Sequence, residues 1–112
     1  PHLMPVTAGI ITTIFCEPTG DIEVLSGHVA AAFADFYGTS AFVRILGEGG
    51  FADTKYVVRT NFVDVGWVID KRAGRLILSS AEDNLGKGAG SQAIQSFNLM
   101  HGLSETCGLL NF

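Results

Sequence analysis

The sequence has 112 residues, of which 47% are hydrophobic and only 16% charged, and it carries a formal net charge of −4 with a pI near 5.1. Soluble domains usually contain about a quarter charged residues, so a single domain of this length has more apolar surface than it can bury alone. We expect another copy, or a further part of the same chain, to cover the surplus. The acidic balance excludes a nucleic-acid binder, and the lack of a run of about 18 apolar residues excludes a membrane span.

The start of the chain predicts a strand followed by a helix. Residues 6–16 are rich in Ile and Thr without helical spacing, which favours a strand, and residues 17–21 are typical of a turn. Ser26 is the predicted N-cap of the helix, and Gly38 ends it as the C′ residue. The apolar residues between them follow the spacing of one helix face: Val29, Ala30, Phe33, Ala34 and Tyr37.

The middle of the chain predicts short strands. They cover residues 42–46, 57–60, 61–69 and 76–80. Residues 47–50 form a flexible, Gly-rich loop after the first of these strands. The turn at residues 71–75 joins the last two strands as a hairpin.

A polar, Gly-rich connector, residues 83–91, leads into a final helix over residues 88–101 or so, which Gly102 ends. This helix has its apolar residues on one side: Ala93, Ile94, Phe97 and Met100. Together the elements predict an α+β fold, a mixed, mainly antiparallel sheet with helices on one face. No repeat or long linker divides residues 1–112, so we expect a single domain.

The residues with catalytic or metal-binding chemistry form no recognisable set. Cys16 and Cys107 are too few and too far apart for a disulfide scaffold, so we expect both to be reduced, as in a cytoplasmic protein. Cys16 lies in an apolar strand, where a thiol is harder to ionise. His28 and His101 have no Cys or carboxylate at a metal-binding spacing. We therefore predict no catalytic residue and no metal site in this chain.

The Gly-rich connector carries a resemblance to a known family. The segment DNLGKGAGSQAIQ, residues 83–95, resembles one near the C-terminus of the N-acetyl-gamma-glutamyl-phosphate reductases. Pro-His-Leu at residues 1–3 resembles the segment that opens the last third of those enzymes, and matches in between keep the family's order. There are two departures: Ser91 stands where the family usually has Gly, and Ala52 where Pro is common. The resemblance covers nearly the whole chain.

The resemblance implies a fold and a reaction. The family's C-terminal domain is similar to that of glyceraldehyde-3-phosphate dehydrogenase, and its last helix packs on a nucleotide-binding domain that this chain lacks. These homo-oligomeric, cytoplasmic enzymes use NADPH to reduce an acyl phosphate to a semialdehyde in arginine synthesis, with a Cys nucleophile and a His acid/base. We expect both catalytic residues to lie upstream of Pro1, so the chain alone should be inactive.

The resemblance also implies ligand contacts. It assigns cofactor binding to Asn84 and Gly88, and substrate binding to His2 and Lys87. The residues alone leave alternatives open: Asn84 can cap its own turn, and His2 can simply fix the chain entry. The connector is not a P-loop, because Lys87 is followed by Gly rather than Ser or Thr.

The residues are compatible with two other hypotheses about function. One is a non-catalytic binding or assembly module derived from the reductase, and a nucleotide fold with a Cys-containing site upstream of Pro1 would instead favour the enzyme. A small enzyme of another kind is disfavoured, because no nucleophile–base pair is visible. The sequence does not separate the arginine-pathway substrate from a related one in lysine synthesis.

Overall fold

The computed structural model describes residues 1–110, which form a four-stranded sheet with two α-helices. In chain order the elements are β1 (Ile10–Cys16), α1 (Ile22–Tyr37), β2 (Val43–Glu48), β3 (Val63–Asp70), β4 (Arg75–Glu82) and α2 (Ser91–Met100). A 3-10 turn (Thr54–Tyr56) precedes β3, and a π-helical turn (Gly86–Gly90) precedes α2. The predicted α+β class is confirmed.

The sheet is mixed, with the strand order β1-β4-β3-β2. Strand β4 pairs antiparallel with both β1 and β3, whereas β2 pairs parallel with β3. The predicted hairpin is confirmed, with Asp70 opposite Arg75 at its closed end. Strand β4 lies between β1 and β3. Its C-terminal end therefore places the Gly-rich connector near the middle of one end of the sheet.

Strand β1 begins later than residue 6, where the sequence predicted it to start. Gly9 has a φ of 103°, which interrupts the extended backbone immediately before Ile10. A Cβ at Gly9 would lie 2.7 Å from the Thr54 methyl group, so the close approach also requires glycine. The start of β1 is therefore set by a contact with a distant part of the chain.

The predicted N-cap of α1 is wrong. The helix begins one turn earlier, where Asp21 is the N-cap and its Oδ1 accepts a hydrogen bond of 2.9 Å from the Glu23 N–H. Ser26 lies inside the helix and donates its hydroxyl to Glu48. The helix does end before Gly38, but the φ of Gly38 is −58°, so that glycine is not in the left-handed conformation expected of a C′ residue.

The strand predicted at residues 57–60 is also wrong. The 3-10 turn Thr54–Tyr56, which Asp53 caps, continues there into a hydrogen-bonded turn, because the Thr54 carbonyl accepts from Val57 and Val58. Arg59 then adopts a φ of 62°, which no strand residue has. The following strand begins at Val63 instead of residue 61.

The two faces of the sheet are covered by different parts of the chain. On one face, α1 packs across β2 and β3, with the Phe33 ring stacked 5.2 Å from that of the buried Trp67. On the other, the segment between β2 and β3 supplies Ala52 and Val57 to a small core with Ala81. Helix α2 contacts the π-helical turn beyond the end of β4, so within residues 1–110 it is α1 that lies on a sheet face.

The domain leaves much of its apolar surface uncovered. Among residues 1–110, six apolar residues are buried and seventeen large ones are exposed. The principal extents are 45 × 35 × 18 Å, a slab about as thick as one sheet and one helix layer. Neither α-helix in the described part has the length and apolar character needed to cross a membrane. The surplus predicted from composition is therefore present as exposed side chains.

Candidate ligand-facing site

Asp83 organises the connector that leaves the centre of the sheet. Its Oδ1 accepts hydrogen bonds from the Leu85 and Gly86 N–H groups at 2.7 and 3.0 Å, and its Oδ2 accepts one of 2.5 Å from the Arg59 N–H. The side chain is buried, with 3% of the residue exposed. One carboxylate thus shapes its own turn and ties it to the turn before β3.

The charged form of Asp83 is favoured despite its burial. Burial by itself raises the pKa of this carboxyl, but the N–H groups of Arg59, Gly86 and Leu85 stabilise the anion. Their combined effect, together with the nearby positive charge of Arg59, holds the pKa below its ordinary value of 3.8. Asp83 is consequently an anion at neutral pH, with both oxygens already occupied by backbone donors.

Asn84 connects the connector to the start of the chain. Its Oδ1 accepts a hydrogen bond of 2.7 Å from the Gly9 N–H. The alternative that Asn84 caps its own turn is wrong, because the Asp83 side chain caps that turn. The Asn84 NH2 group makes no hydrogen bond within residues 1–110, so the predicted contact with a cofactor stays open as a prediction.

Lys87 points towards α2. Its Nζ donates to Gln95 Oε1 at 2.6 Å and lies 5.6 Å from the centre of the Phe42 ring. Burial lowers the pKa of its ammonium group, and Glu105 and Glu82 only partly oppose that effect. A substrate anion would have to compete with Gln95 for this donor, so substrate binding by Lys87 stays a prediction.

Gly88 and His2 make no hydrogen bond to each other in the described part of the chain. The Gly88 N–H donates to the Asp83 carbonyl at 2.8 Å, so this backbone donor is already used. His2 is exposed, and its Nε2 lies 2.7 Å from Thr13 Oγ1 on β1. No hydrogen bond in the described part of the chain joins any two of the four predicted site residues. Their shared role in ligand binding is not tested by these contacts.

A hollow of about 420 Å³ lies between the N-terminal segment, the turn before β3 and the π-helical turn. We call it the polar hollow, and its lining includes Thr7, Val58, Arg59, Asp83, Gly86 and Ser91. Sequence reasoning missed Arg59 and Asp83 as site residues. The spacing of Asp83 to the following Leu85 and Gly86 is typical of an Asx turn and could have identified it. Nothing in the sequence near Arg59 indicated its position.

The cysteines and histidines form no catalytic or metal-binding arrangement within residues 1–110. Cys16 is half-buried in β1 and Cys107 is exposed, and neither forms a disulfide. The described side chains contain no group of three or more that would hold a metal ion. The structure thus places no thiol beside a base in this part of the chain.

Helix α2 turns its polar side inward. Gln95 and Asn98 are buried, and Gln95 Oε1 accepts from Asn61 as well as from Lys87. Asn98 donates to the carbonyls of Glu105 and Cys107, which folds the chain after α2 back onto it. The predicted apolar side faces outward, with Ile94, Phe97 and Met100 exposed at 48%, 54% and 82%.

The chain is similar to known proteins over almost its whole length. Residues 1–84 match the family model described as semialdehyde dehydrogenase, dimerisation domain. Proteins named N-acetyl-gamma-glutamyl-phosphate reductase are 49% identical in Geotalea daltonii and 50% in Akkermansia muciniphila, each over 97% of this chain. The one from Acetivibrio thermocellus is 42% identical over 99% of the chain. The chain spans only 31–32% of the length of these relatives, in their C-terminal part.

Proposed function

This chain belongs to the family of semialdehyde dehydrogenase dimerisation domains, and from that premise we propose that it is the C-terminal part of an N-acetyl-gamma-glutamyl-phosphate reductase. The observation that carries the proposal is the match to reductases of that name at 42–50% identity. The uncovered apolar surface supports it, because a dimerisation domain and a part of a longer chain both need such surface.

The proposed reaction is the NADPH-dependent reduction of N-acetyl-gamma-glutamyl phosphate to N-acetylglutamate semialdehyde, in arginine synthesis. A Cys thiolate outside this chain attacks the acyl phosphate and expels phosphate, and hydride then reduces the thioester. NADP is bound mainly by a nucleotide-binding domain that precedes this one. Within the chain, Asn84 and Gly88 contact the cofactor, and His2 and Lys87 contact the substrate. The cytoplasmic location predicted above belongs to the same proposal.

The outer side of α2 supports docking onto that preceding domain. This helix lies beyond residue 84, where the match to the dimerisation domain ends. Its exposed side carries Phe97 and Met100, whereas its buried side is held by hydrogen bonds through Gln95 and Asn98. An apolar helix face in this arrangement is typical of contact with another part of the protein. We infer that residues 1–84 contact a second subunit and α2 contacts the nucleotide-binding domain.

The proposal is tested by comparing this chain with the full-length protein that contains it. The assay supplies the semialdehyde, NADP and phosphate, and follows NADPH formation. We expect turnover from the full-length protein and none from the isolated chain, because neither cysteine lies beside a base. Turnover by the isolated chain that disappears on Cys16→Ser or Cys107→Ser would contradict the proposal. A full-length protein that dimerises but reduces neither this substrate nor its lysine-pathway analogue would favour the assembly module.

A further inference from the structure

Arg59 is the only non-glycine residue within residues 1–110 that has a positive φ, at 62°. Side chains with a Cβ adopt this left-handed conformation at an energetic cost, and Arg is not among the residues that tolerate it best. Such strained positions concentrate at ligand-binding sites, where the surrounding structure holds them in place. Two things therefore need an explanation: what holds the Arg59 backbone in this conformation, and why the residue is an arginine and not a glycine.

The structural cause lies on both sides of Arg59. Its own N–H donates to the buried Asp83 carboxylate at 2.5 Å. Immediately after it, the N–H and the hydroxyl of Thr60 both donate to the Val57 carbonyl, at 3.0 and 2.7 Å. None of these bonds uses the Arg59 side chain, so they would hold a glycine at position 59 equally well. They do not explain why the residue is an arginine.

The Arg59 side chain is exposed and lines the polar hollow. In the described part of the chain, the ion pairs are Arg44 with Asp64, Lys71 with Glu23, and Arg75 with Glu17. The Arg59 guanidinium is in none of them. The carboxylate of Asp83, on the connector after β4, lies near enough for the Arg59 charge to help lower its pKa, but it already accepts three backbone hydrogen bonds. The guanidinium thus has its donors available at the hollow.

The rest of the hollow suits a small acid. Its volume of about 420 Å³ is within the range of small-molecule sites. The hydroxyls of Thr7 and Ser91 lie on its wall and can both donate and accept hydrogen bonds. Guanidinium groups bind carboxylate and phosphoryl oxygens through paired, charge-assisted hydrogen bonds. The negative charge of Asp83 opposes an anion here, but three N–H groups neutralise much of its effect.

We propose that Arg59 binds a carboxylate or phosphoryl oxyanion of a reductase ligand in the polar hollow. The proposal rests on the proposed function for the identity of that ligand. The shared chemistry is an oxyanion, which three ligands supply: the carboxylate of the semialdehyde, inorganic phosphate, and the phosphates of NADP. Arg59 is a specificity-determining residue, and it acts through direct contact with the anion.

The test uses the full-length protein with Arg59→Gln and Arg59→Gly. We expect both to raise the KM of one anionic ligand roughly tenfold, since a charge-assisted contact is lost. Arg59→Gly also relieves the strained backbone, so its melting temperature should equal or exceed that of the parent protein. A merely structural role for the Arg side chain would instead lower the melting temperature and leave the KM values unchanged, which would overturn the proposal.

The ligand whose KM rises identifies the source of the oxyanion. A rise for the semialdehyde assigns the site to its carboxylate, one for phosphate to the transferred group, and one for NADP to the cofactor. The matched control is Arg72→Gln, because Arg72 is also exposed but lies in the β3–β4 hairpin turn. Equal KM changes in Arg72→Gln and Arg59→Gln would indicate general surface charge and contradict a site.

A binding measurement separates this inference from the proposed function. Inorganic phosphate and N-acetylglutamate are titrated separately into the full-length protein while its melting temperature is followed. Stabilisation by either probe that is lost in Arg59→Gln supports the site even if no reductase turnover is found. Turnover together with equal stabilisation of parent and variant, and unchanged KM values, retains the reductase and overturns the role of Arg59.

Discussion

At the scale of single residues, Asp83 connects segments that are far apart in sequence. Its carboxylate fixes the turn into the π-helical segment and the left-handed turn at Arg59. The neighbouring Asn84 holds the N-terminal segment in place by accepting a hydrogen bond from the Gly9 N–H. These two adjacent side chains therefore set the relative positions of three segments that surround the polar hollow. Substitution of either side chain should change the shape of the polar hollow as well as the stability of the protein.

We predict that Asp83→Asn destabilises the full-length protein by about 1–3 kcal/mol at neutral pH. The amide replaces one acceptor oxygen by an NH2 group, which leaves a backbone N–H without a partner. Urea unfolding of parent and variant measures the difference. Asp53→Asn is the control, because exposed Asp53 accepts from a single N–H, that of Lys55. A loss no larger than that of Asp53→Asn would show that Asp83 is not the organising residue.

The same comparison has a definite pH dependence. The pKa of Asp83 is lower in the folded protein than its ordinary value of 3.8. Its contribution to stability is therefore fully present above that value and is lost as the pH falls through the folded pKa. We expect the difference between parent and Asp83→Asn to be constant from about pH 5 to 8 and to shrink below about pH 4. A difference that grows on acidification would contradict this assignment.

At the scale of elements, α2 shows an arrangement opposite to that of an ordinary amphipathic helix. Its amide side chains, Gln95 and Asn98, are buried in hydrogen bonds, and its apolar residues face outward. Spacing identified the apolar side correctly but did not reveal which side packs against this domain. Helix α1 is also incompletely covered, with Phe36 80% exposed. Both helices therefore have surfaces suited to contacts outside residues 1–110.

We predict that Phe97→Glu lowers the free energy of unfolding of the full-length protein by about 1.5–3 kcal/mol, the value of a buried aromatic side chain. The reason is that Phe97, although 54% exposed here, lies on the side proposed to dock on the preceding domain. Calorimetry of parent and variant measures the change. Gln92→Glu introduces the same charge at an exposed polar position of the helix. Equal, small effects of both changes would argue against docking through this side.

At the scale of the whole molecule, the described residues form a thin slab with a small core on each side of one sheet. Seventeen large apolar residues are exposed among residues 1–110, which favours contact with another protein surface. Family membership and the physical argument agree at this point, because the matching family is described as a dimerisation domain. The proposed dimer contact belongs to surfaces within residues 1–84, the residues that match this family.

We predict that the full-length protein is at least a dimer at micromolar concentration, since burial in a subunit contact offsets the exposed apolar surface. Sedimentation equilibrium measures the assembly state. Met100→Asp, beyond residue 84 and 82% exposed, should leave the dimer intact. A parent protein that remains monomeric throughout that concentration range would contradict the prediction. If the parent protein is a dimer and Met100→Asp is a monomer, the subunit contact includes α2.

Features that depend on local pattern could be predicted from the sequence alone. The hairpin follows from adjacent strands and a short Gly-containing turn, and the helices follow from apolar spacing with Gly38 and Gly102 beyond them. The low charge and high apolar content predicted that apolar surface stays exposed in this domain, as the structure shows. The family resemblance was also readable, because the connector's residues stand close together in the chain.

Features that depend on distant partners could not be predicted from local pattern. Ser26, predicted as the cap of α1, donates instead to Glu48 on β2, whereas the actual cap, Asp21, bonds locally to the Glu23 N–H and was within reach of the sequence. The predicted strand at residues 57–60 became a left-handed turn, because the Asp83 carboxylate, far along the chain, holds the Arg59 N–H. Local propensity carries no information about such a bond, since its free energy exists only once the two segments are brought together.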